Sequence, residues 1–259
     1  MTHARPARAI AVVLGVLALA SGSAGCGGSS DGPSKERLGV GAATSLEGAL
    51  ERYAGSYEDA DVRLSFAGSD VVAAQIRQGA RLDLFAAANT ELPEALHRAG
   101  LVEEPVEFAR NTLVIATPAG SSIESLDELA GRGLHIVIGS RSVPVGAYAH
   151  QVLDRLPSDQ RGAIERNIRS EEPDASSALA KVVRRAADAA FVYATDVRAA
   201  GGAVRAVTIP GNLRPNVSYA AAVPVAARHP AAARRFVRGL LAGRGASALR
   251  AAGFLPPDQ

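Results

Sequence analysis

The segment VRLSFAGSDVVAAQIRQGARLDLF, residues 62–85, constrains the fold more than any other part of the chain. Apolar and polar residues alternate from Val62 to Phe66, which is the period of a half-buried strand. After a turn at Ala67-Gly68-Ser69, apolar residues recur at helical spacing, and a second strand follows from Leu82. We place Ser69 at the N-cap of this helix, where unpaired N–H groups and the positive end of the helix dipole can hold an anion.

Strands and helices alternate in the same way along the rest of the chain. Short apolar runs predict strands, as in NTLVIATP at 111–118, HIVIG at 135–139 and AAFVY at 189–193. This order indicates an α/β protein with mainly parallel sheets, whose ligands bind at the carboxyl ends of the strands. Hydroxyl residues stand at three strand ends directly before a helix, namely Thr44-Ser45, Ser69 and Tyr193 with Thr195.

Three further segments receive specific predictions. VPVG at 143–146 is predicted as a turn, and SLDEL at 125–129 as the start of a helix. Residues 229–252 are predicted as a final helical region that is interrupted at Gly243. Asp83 is predicted to have a structural role, because it lies where a loop enters a strand.

The composition argues against several classes of function. The chain has 259 residues, of which 47% are hydrophobic and 21% charged, so it can bury a core in one large domain or in two lobes. Aromatic residues make up 4% and Trp is absent, which argues against a carbohydrate surface or a base-stacking platform. The formal net charge is +2, and loss of Arg5 and Arg8 with a leader would leave it at zero. No broad basic surface for nucleic acid is therefore implied.

Residues 1–25 have the form of a signal peptide, with a short basic start and an apolar run too short to span a bilayer. Small residues then lead to Cys26, the single cysteine, in a pattern that resembles a bacterial lipobox. Ser23 departs from that pattern, which usually has Leu there. We expect Cys26 to be lipidated, residues 26–37 to form a flexible tether, and the protein to be held at the outer face of the cytoplasmic membrane. Ordinary cleavage, which would leave a periplasmic protein with a free thiol, is the alternative.

Hydroxyls and backbone N–H groups at several helix starts, with no Lys or Arg in those turns, predict a pocket of neutral donors. Such a pocket suits a fully ionised oxyanion, because a protonated phosphate would also need an acceptor for its proton. Helix-terminal N–H dipoles can replace the hydration shell of a buried dianion.

Six motifs, in this order, resemble the molybdate-binding proteins of bacterial ABC transporters: AATSLEGAL, SFAGSDVVAAQIRQGARLDLFAAAN, NTLVIATP, VPVGAYAHQVL, AFVYATD and AAGF. The resemblance covers residues 38–255. It implies a type II periplasmic-binding-protein fold, in which two α/β lobes joined by two crossing strands close on an anion. The lobes are predicted to comprise residues 38–117 with 218–259, and residues 118–217.

The resemblance also implies a set of ligand residues. Ser45 and Ser69 would bind the anion through their hydroxyls, Val145 and Ala175 through their backbone N–H groups, and Tyr193 through its phenol. From the residues alone, each serine is also explained as a plain N-cap and Tyr193 as a half-buried packing residue. Asp70 departs from the family pattern, and we expect its carboxylate to point outward from the first helical turn.

The function implied is capture of molybdate, and of tungstate, for delivery to a membrane permease. A receptor for another oxyanion such as sulfate or phosphate is the alternative. No metal-ligand spacing, nucleophile elbow or P-loop is present, so an enzyme is not expected. We expect no cofactor, no direct coordination of the molybdenum atom by protein side chains, no nucleic-acid partner, and a monomer.

Overall fold

The computed structural model describes residues 35–257 and places ten strands of that range in two five-stranded sheets. In chain order the strands are β1 Arg37–Ala43, β2 Asp61–Ala67, β3 Leu84–Ala87, β4 Val106–Asn111, β5 Leu113–Pro118, β6 Ile136–Gly139, β7 Ile168–Glu172, β8 Ala189–Tyr193, β9 Val204–Thr208 and β10 Val217–Ala222. The α-helices are α1 Glu47–Gly55, α2 Ser69–Arg77, α3 Glu91–Arg98, α4 Pro144–Asp154, α5 Ser158–Glu165, α6 Ala175–Val183, α7 Ala194–Ala199, α8 Pro230–Leu241 and α9 Arg244–Ala252.

The two sheets have the same plan. The first has the order β2-β1-β3-β10-β4 and the second β7-β6-β8-β5-β9. In each, four strands run in one direction, and the fourth strand in the order, β10 or β5, runs antiparallel to both of its neighbours. The predicted two-lobed α/β fold with mainly parallel sheets is confirmed, with one antiparallel strand in each mixed sheet. The antiparallel strands, β5 and β10, each directly follow one of the two connections between the sheets, at 111–113 and 208–217.

The strands of the sheet centres are buried on both faces, as their continuous apolar sequences require. All residues of β8 and β10 are buried. The helices cover these sheets with one apolar stripe each, as in α8, where Ala232, Phe236 and Leu240 recur every fourth residue and are buried. The break after α8 is confirmed at Gly243, whose φ of 85° suits glycine.

Asp83 has the structural role predicted for it. Its carboxylate is buried and accepts hydrogen bonds from the backbone N–H groups of Gly39, Arg228 and His229 at 2.8–2.9 Å. It thereby joins β1 to the segment that leads into α8. Three donors replace the water that this buried charge has lost.

Three local predictions need correction. Residues 144–146 are not a turn but the first turn of α4, which begins at Pro144, because proline is favoured at the first helical position. The segment predicted as a helix start at 125–129 forms only a 3-10 helix, Asp127–Ala130. Ser69 is not the N-cap of α2: Gly68 holds that position, and the Ser69 hydroxyl is bonded elsewhere.

The lobe boundaries stay a prediction. Strand β5 pairs with β8 and β9 of the second sheet, so we propose that the first crossing lies at Thr112 rather than after Thr117. Within the described residues, no helix is long and apolar enough to cross a membrane. Cys26 and the predicted signal peptide lie outside the described residues.

Candidate functional site

A small cavity lies between the two sheets, beside the carboxyl ends of their parallel strands. Its volume is about 20 Å³, little more than a single water needs. All five residues predicted to bind the anion line it, and the complete lining is Ala43, Thr44, Ser45, Ala67, Gly68, Ser69, Ala88, Val143, Pro144, Val145, Asp174, Ala175 and Tyr193. A site of this size suits a compact ion and is too small for a sugar or a peptide.

Three helices begin at the cavity. Ser69 is the first residue of α2, Val145 the second of α4 and Ala175 the first of α6. N–H groups in the first turn of a helix have no intrahelical acceptor, and they stand at the positive end of the helix dipole. The backbone therefore supplies donors and partial positive charge to the cavity from both lobes.

The Ser69 hydroxyl is oriented by a neighbouring strand. It is buried, with 1% of its surface exposed, and its Oγ accepts a hydrogen bond from the Ala88 N–H at 3.1 Å. A hydroxyl has one hydrogen to donate. Because the backbone bond uses only an acceptor position of Ser69, this hydrogen is free for a ligand.

Ser45 lies at the corresponding place beyond β1, in the 3-10 helix Thr44–Leu46 that precedes α1. No cap bond is made by a side chain at the start of this short helix. The Ser45 Oγ lies instead 2.9 Å from the Tyr219 hydroxyl. Neither serine is therefore a plain N-cap.

Tyr193 is the last residue of β8 and is 1% exposed. Its hydroxyl oxygen is buried and finds no hydrogen-bond partner in the described part of the chain. Burial, followed by the nearby Tyr219, raises the pKa of Tyr193 well above its usual value, so the phenol keeps its proton. A buried donor without an acceptor, on a residue that lines a cavity, is a free-energy cost that a bound anion would remove.

Two carboxylates lie close to the cavity. Asp174 caps α6, with its Oδ1 accepting from the Ser177 N–H at 2.7 Å. Asp70 does not line the cavity, yet it does not simply point outward as expected: its Oδ2 accepts from the Ser142 hydroxyl of the other lobe at 3.4 Å. Its other oxygen, Oδ1, is buried next to Gly68 of the cavity lining and has no hydrogen-bond partner in the described part of the chain.

Gly68 brings the two lobes into direct contact. A Cβ at this position would lie 2.7 Å from the carbonyl oxygen of Pro173, in the loop before α6, and equally close to the Asp70 Oδ1. The φ of −55° is open to any residue, so glycine is required here for space rather than for backbone conformation.

Few charged groups line the cavity. Its lining contains no Lys or Arg, and the described residues contain no group of three or more acidic, His or Cys side chains placed to hold a metal ion. It offers neutral donors from hydroxyls and helix starts, together with one carboxylate, that of Asp174, whose Oδ1 is used by the cap of α6. This arrangement can hold a compact ligand that only accepts hydrogen bonds.

Sequence reasoning missed the residues behind the cavity wall. Tyr219 and Asn111, which contact Ser45 and Thr195, come from β10 and the end of β4. These strands reach the site through long-range antiparallel pairing, which local periodicity does not reveal. Asp174 had a usable signal, since Asp directly before a run of apolar residues at helical spacing is typical of an N-cap.

Comparison with known proteins agrees with this geometry. Residues 38–255 match the family described as bacterial extracellular solute-binding protein. The molybdate-binding protein ModA of Mycobacterium tuberculosis H37Rv is 34% identical over 253 residues, covering 92% of this chain and 95% of the relative. ModA of Haemophilus influenzae is 29% identical over 191 residues, covering 69% and 74%.

Solved structures also show similarity to molybdate-binding proteins. The periplasmic molybdate-binding protein of Azotobacter vinelandii superposes with a TM-score of 0.77 at 26% identity, over 85% of this chain and all of that one. A sequence match over most of both chains, together with this structural match, establishes the family. The chain belongs to the bacterial extracellular solute-binding proteins and, among them, groups with the molybdate-binding proteins.

Proposed function

We propose that this protein captures molybdate outside the cytoplasmic membrane and delivers it to the permease of an ABC transporter. The observation that carries the proposal is that Ser45, Ser69, Val145, Ala175 and Tyr193, which are far apart in sequence, line one small cavity. The 34% identical relatives named as molybdate-binding proteins support the same ligand. Membership of this family also indicates a transport role rather than an enzymatic one.

The anion would be held by donors only. Ser45 and Ser69 would donate from the first lobe, and the Val145 and Ala175 N–H groups and the Tyr193 phenol from the second. Molybdate is a dianion at neutral pH and has no proton of its own to place. Hydrogen phosphate would bring a proton that these five donors do not bind, and the only carboxylate of the cavity lining, Asp174, already accepts the Ser177 N–H through its Oδ1.

Capture would proceed by closure of the lobes. In the open form, the anion would meet the two serines first and then recruit the donors of the second lobe. Only the closed state makes all contacts, so binding shifts the population towards closure. The closed lobes would dock on the permease, and ATP hydrolysed by a separate subunit would drive uptake.

Selection between dianions of the same charge would depend on cavity size. Sulfate is smaller than molybdate, whereas tungstate is nearly the same size. We therefore propose that tungstate binds almost as well as molybdate and that sulfate binds poorly.

Export would depend on residues 1–25, and we propose that lipidated Cys26 anchors the mature chain through the tether 26–37. Cell fractionation tests this: Cys26→Ala should release the protein from the membrane fraction, with Ser30→Ala as the control in the tether. An unchanged membrane-bound fraction in Cys26→Ala would contradict the anchor.

Thermal unfolding with four anions tests the ligand. At a concentration about a thousandfold above Kd, molybdate should stabilise the protein by roughly 4 kcal/mol. Tungstate should act similarly, while sulfate and phosphate should give small shifts. Absence of a shift with both molybdate and tungstate, or a larger shift with phosphate, would contradict the proposed function.

A further inference from the structure

A chain of buried polar side chains runs behind the cavity, from Ser45 in the first lobe to Thr195 in the second. The Tyr219 hydroxyl lies 2.9 Å from the Ser45 Oγ, and the Asn111 Nδ2 lies 3.4 Å from the Tyr219 hydroxyl and 2.8 Å from the Thr195 Oγ1. Tyr219, Asn111 and Thr195 are each at most 7% exposed. Neither Tyr219 nor Asn111 lines the cavity.

The hydrogen bonds in this chain have a defined direction. The Asn111 Oδ1 accepts from the Thr112 N–H at 2.8 Å, which fixes the amide nitrogen on the side of Thr195 and Tyr219. That nitrogen has two hydrogens, one for each hydroxyl, so both hydroxyl oxygens accept. The Tyr219 oxygen is thereby used as an acceptor at Asn111.

The Tyr219 hydroxyl in turn determines whether Ser45 donates or accepts. Burial raises the pKa of Tyr219 well above its usual value, so the phenol remains protonated. With its oxygen accepting from Asn111, Tyr219 has its single hydrogen left to donate, and the Ser45 Oγ is its partner. Ser45 therefore accepts from Tyr219 and keeps its own hydrogen for the cavity.

We propose that Tyr219 and Asn111 are positioning residues that make the Ser45 hydroxyl an obligate donor and so select a fully ionised anion. The proposal rests on the proposed function and adds to it a source of selectivity behind the cavity wall. Without the Tyr219 hydrogen, the Ser45 hydroxyl could rotate and accept a hydrogen bond from a protonated anion such as hydrogen phosphate. The row of hydrogen bonds also reaches Thr195, two residues beyond Tyr193.

A purely structural role for Tyr219 makes a different prediction. Its ring packs edge-on against Phe108, Tyr193 and Phe254 at centroid distances of 5.2–6.3 Å. Tyr219→Phe keeps this ring and removes only the hydroxyl. If packing were the whole role of Tyr219, its phenylalanine variant would bind anions as the wild type does.

The test is a double-mutant cycle of Ser45→Ala and Tyr219→Phe, read by calorimetry with molybdate and with phosphate. Tyr219→Phe alone should raise the molybdate Kd about 3- to 10-fold, the worth of one oriented hydrogen bond. It should also lower the ratio of phosphate Kd to molybdate Kd. In the Ser45→Ala background the same substitution should change neither quantity, because Tyr219 acts through Ser45.

Two further variants complete the design. Asn111→Ala removes the donor to Tyr219 without altering its ring, and it should change selectivity in the same direction. Tyr53→Phe is the matched control, since the Tyr53 hydroxyl donates to the Phe236 carbonyl, away from the cavity, at 3.3 Å. It should leave both dissociation constants unchanged.

The outcomes separate the two proposals. Failure of the wild type to bind molybdate overturns the proposed function. If the wild type binds molybdate, two results overturn the positioning role: unchanged affinity and selectivity in Tyr219→Phe, or an equal loss when Ser45 is already alanine.

Discussion

The Ser69 hydroxyl accepts a hydrogen bond from the Ala88 N–H at 3.1 Å, which joins the first turn of α2 to the end of β3. Both residues line the cavity. The bond occupies an acceptor position of the hydroxyl and leaves its hydrogen for a ligand. One serine thus supports the cavity wall and retains a hydrogen that it could donate into the cavity.

Ser69→Ala should therefore reduce both anion affinity and stability. Loss of a hydrogen bond to a charged ligand is worth about 1.5–3 kcal/mol, or about a 10- to 150-fold increase in the molybdate Kd. The Ala88 N–H also loses its partner, which should lower the unfolding free energy of the ligand-free protein by about 1 kcal/mol. Calorimetry and denaturant unfolding measure the two effects.

Ser65→Ala is the control for this variant. Ser65 lies on β2 and its Oγ donates to the Val40 carbonyl at 3.3 Å, outside the cavity. Its substitution should leave the molybdate Kd unchanged. If Ser69→Ala bound molybdate with wild-type affinity, the role of Ser69 would be purely structural.

Tyr193→Phe should separate affinity from stability. The Tyr193 hydroxyl is buried without a partner among residues 35–257, so its removal leaves none of their groups unsatisfied, and the unfolding midpoint without ligand should not fall. The molybdate Kd should nevertheless rise about 10-fold or more, because the anion loses a donor. The stabilisation by molybdate in a thermal scan should shrink accordingly. A destabilised ligand-free protein with unchanged affinity would instead favour the packing interpretation.

Gly68→Ala should hinder closure of the lobes. The added Cβ would lie 2.7 Å from the Pro173 carbonyl oxygen across the cleft, and overpacking of this kind costs about 1–3 kcal/mol. Because the open form relieves the contact with Pro173, we expect weaker molybdate binding. The Cβ would also lie 2.7 Å from the Asp70 Oδ1 in the same lobe, so that carboxylate must shift and the ligand-free unfolding midpoint should fall slightly. Small-angle scattering should show a smaller decrease in radius of gyration when molybdate is added.

Gly48→Ala in α1 is the matched control, since a Cβ at that position would have no neighbour within 4 Å. It should bind molybdate as the wild type does and be slightly more stable, as alanine favours a helix. Equal affinity in the two alanine variants would show that closure does not depend on the contact between Gly68 and Pro173.

The order of strands and helices could be predicted because the period of apolar residues, in strands and in helices alike, is visible within a short stretch of sequence. Residues such as Val62, Leu64 and Phe66 alternate whatever they pack against. The antiparallel strands β5 and β10 could not be assigned a direction in this way. Their pairing follows from the two connections between the sheets, which is information from the whole chain.

The residues predicted to bind the anion line one cavity, but several local details could not be predicted from the sequence. Val145 was placed in a turn, although Pro144 before it favours the first turn of a helix. Gly68 and Ser69 are both acceptable N-caps, so their sequence alone could not show which one holds that position. Tyr219 had no local signal, because its partner Ser45 lies 174 positions away in the sequence.

The carboxyl group of Asp196 predicts how stability depends on pH. It is buried beside the cavity residue Tyr193, whose backbone N–H donates to its Oδ2 at 2.9 Å. Burial raises the pKa of Asp196 from 3.8 to about 7, against the lowering effect of that hydrogen bond. Between about pH 4 and pH 7, the folded protein therefore holds a proton that the unfolded chain has released.

Stability should consequently fall as the pH rises through this window and level off above it. Asp196→Asn cannot ionise and keeps an oxygen for the Tyr193 N–H, so it should remove this part of the pH dependence. The variant should gain stability over the wild type at pH 8, on the order of a few kcal/mol, and gain little at pH 4.5. Denaturant unfolding of the ligand-free proteins at the two pH values gives the comparison.

Asp159→Asn, at an exposed first-turn residue of α5, is the control and should keep the wild-type profile. A gain in Asp196→Asn that is equal at both pH values would show that ionisation of this carboxyl does not limit stability.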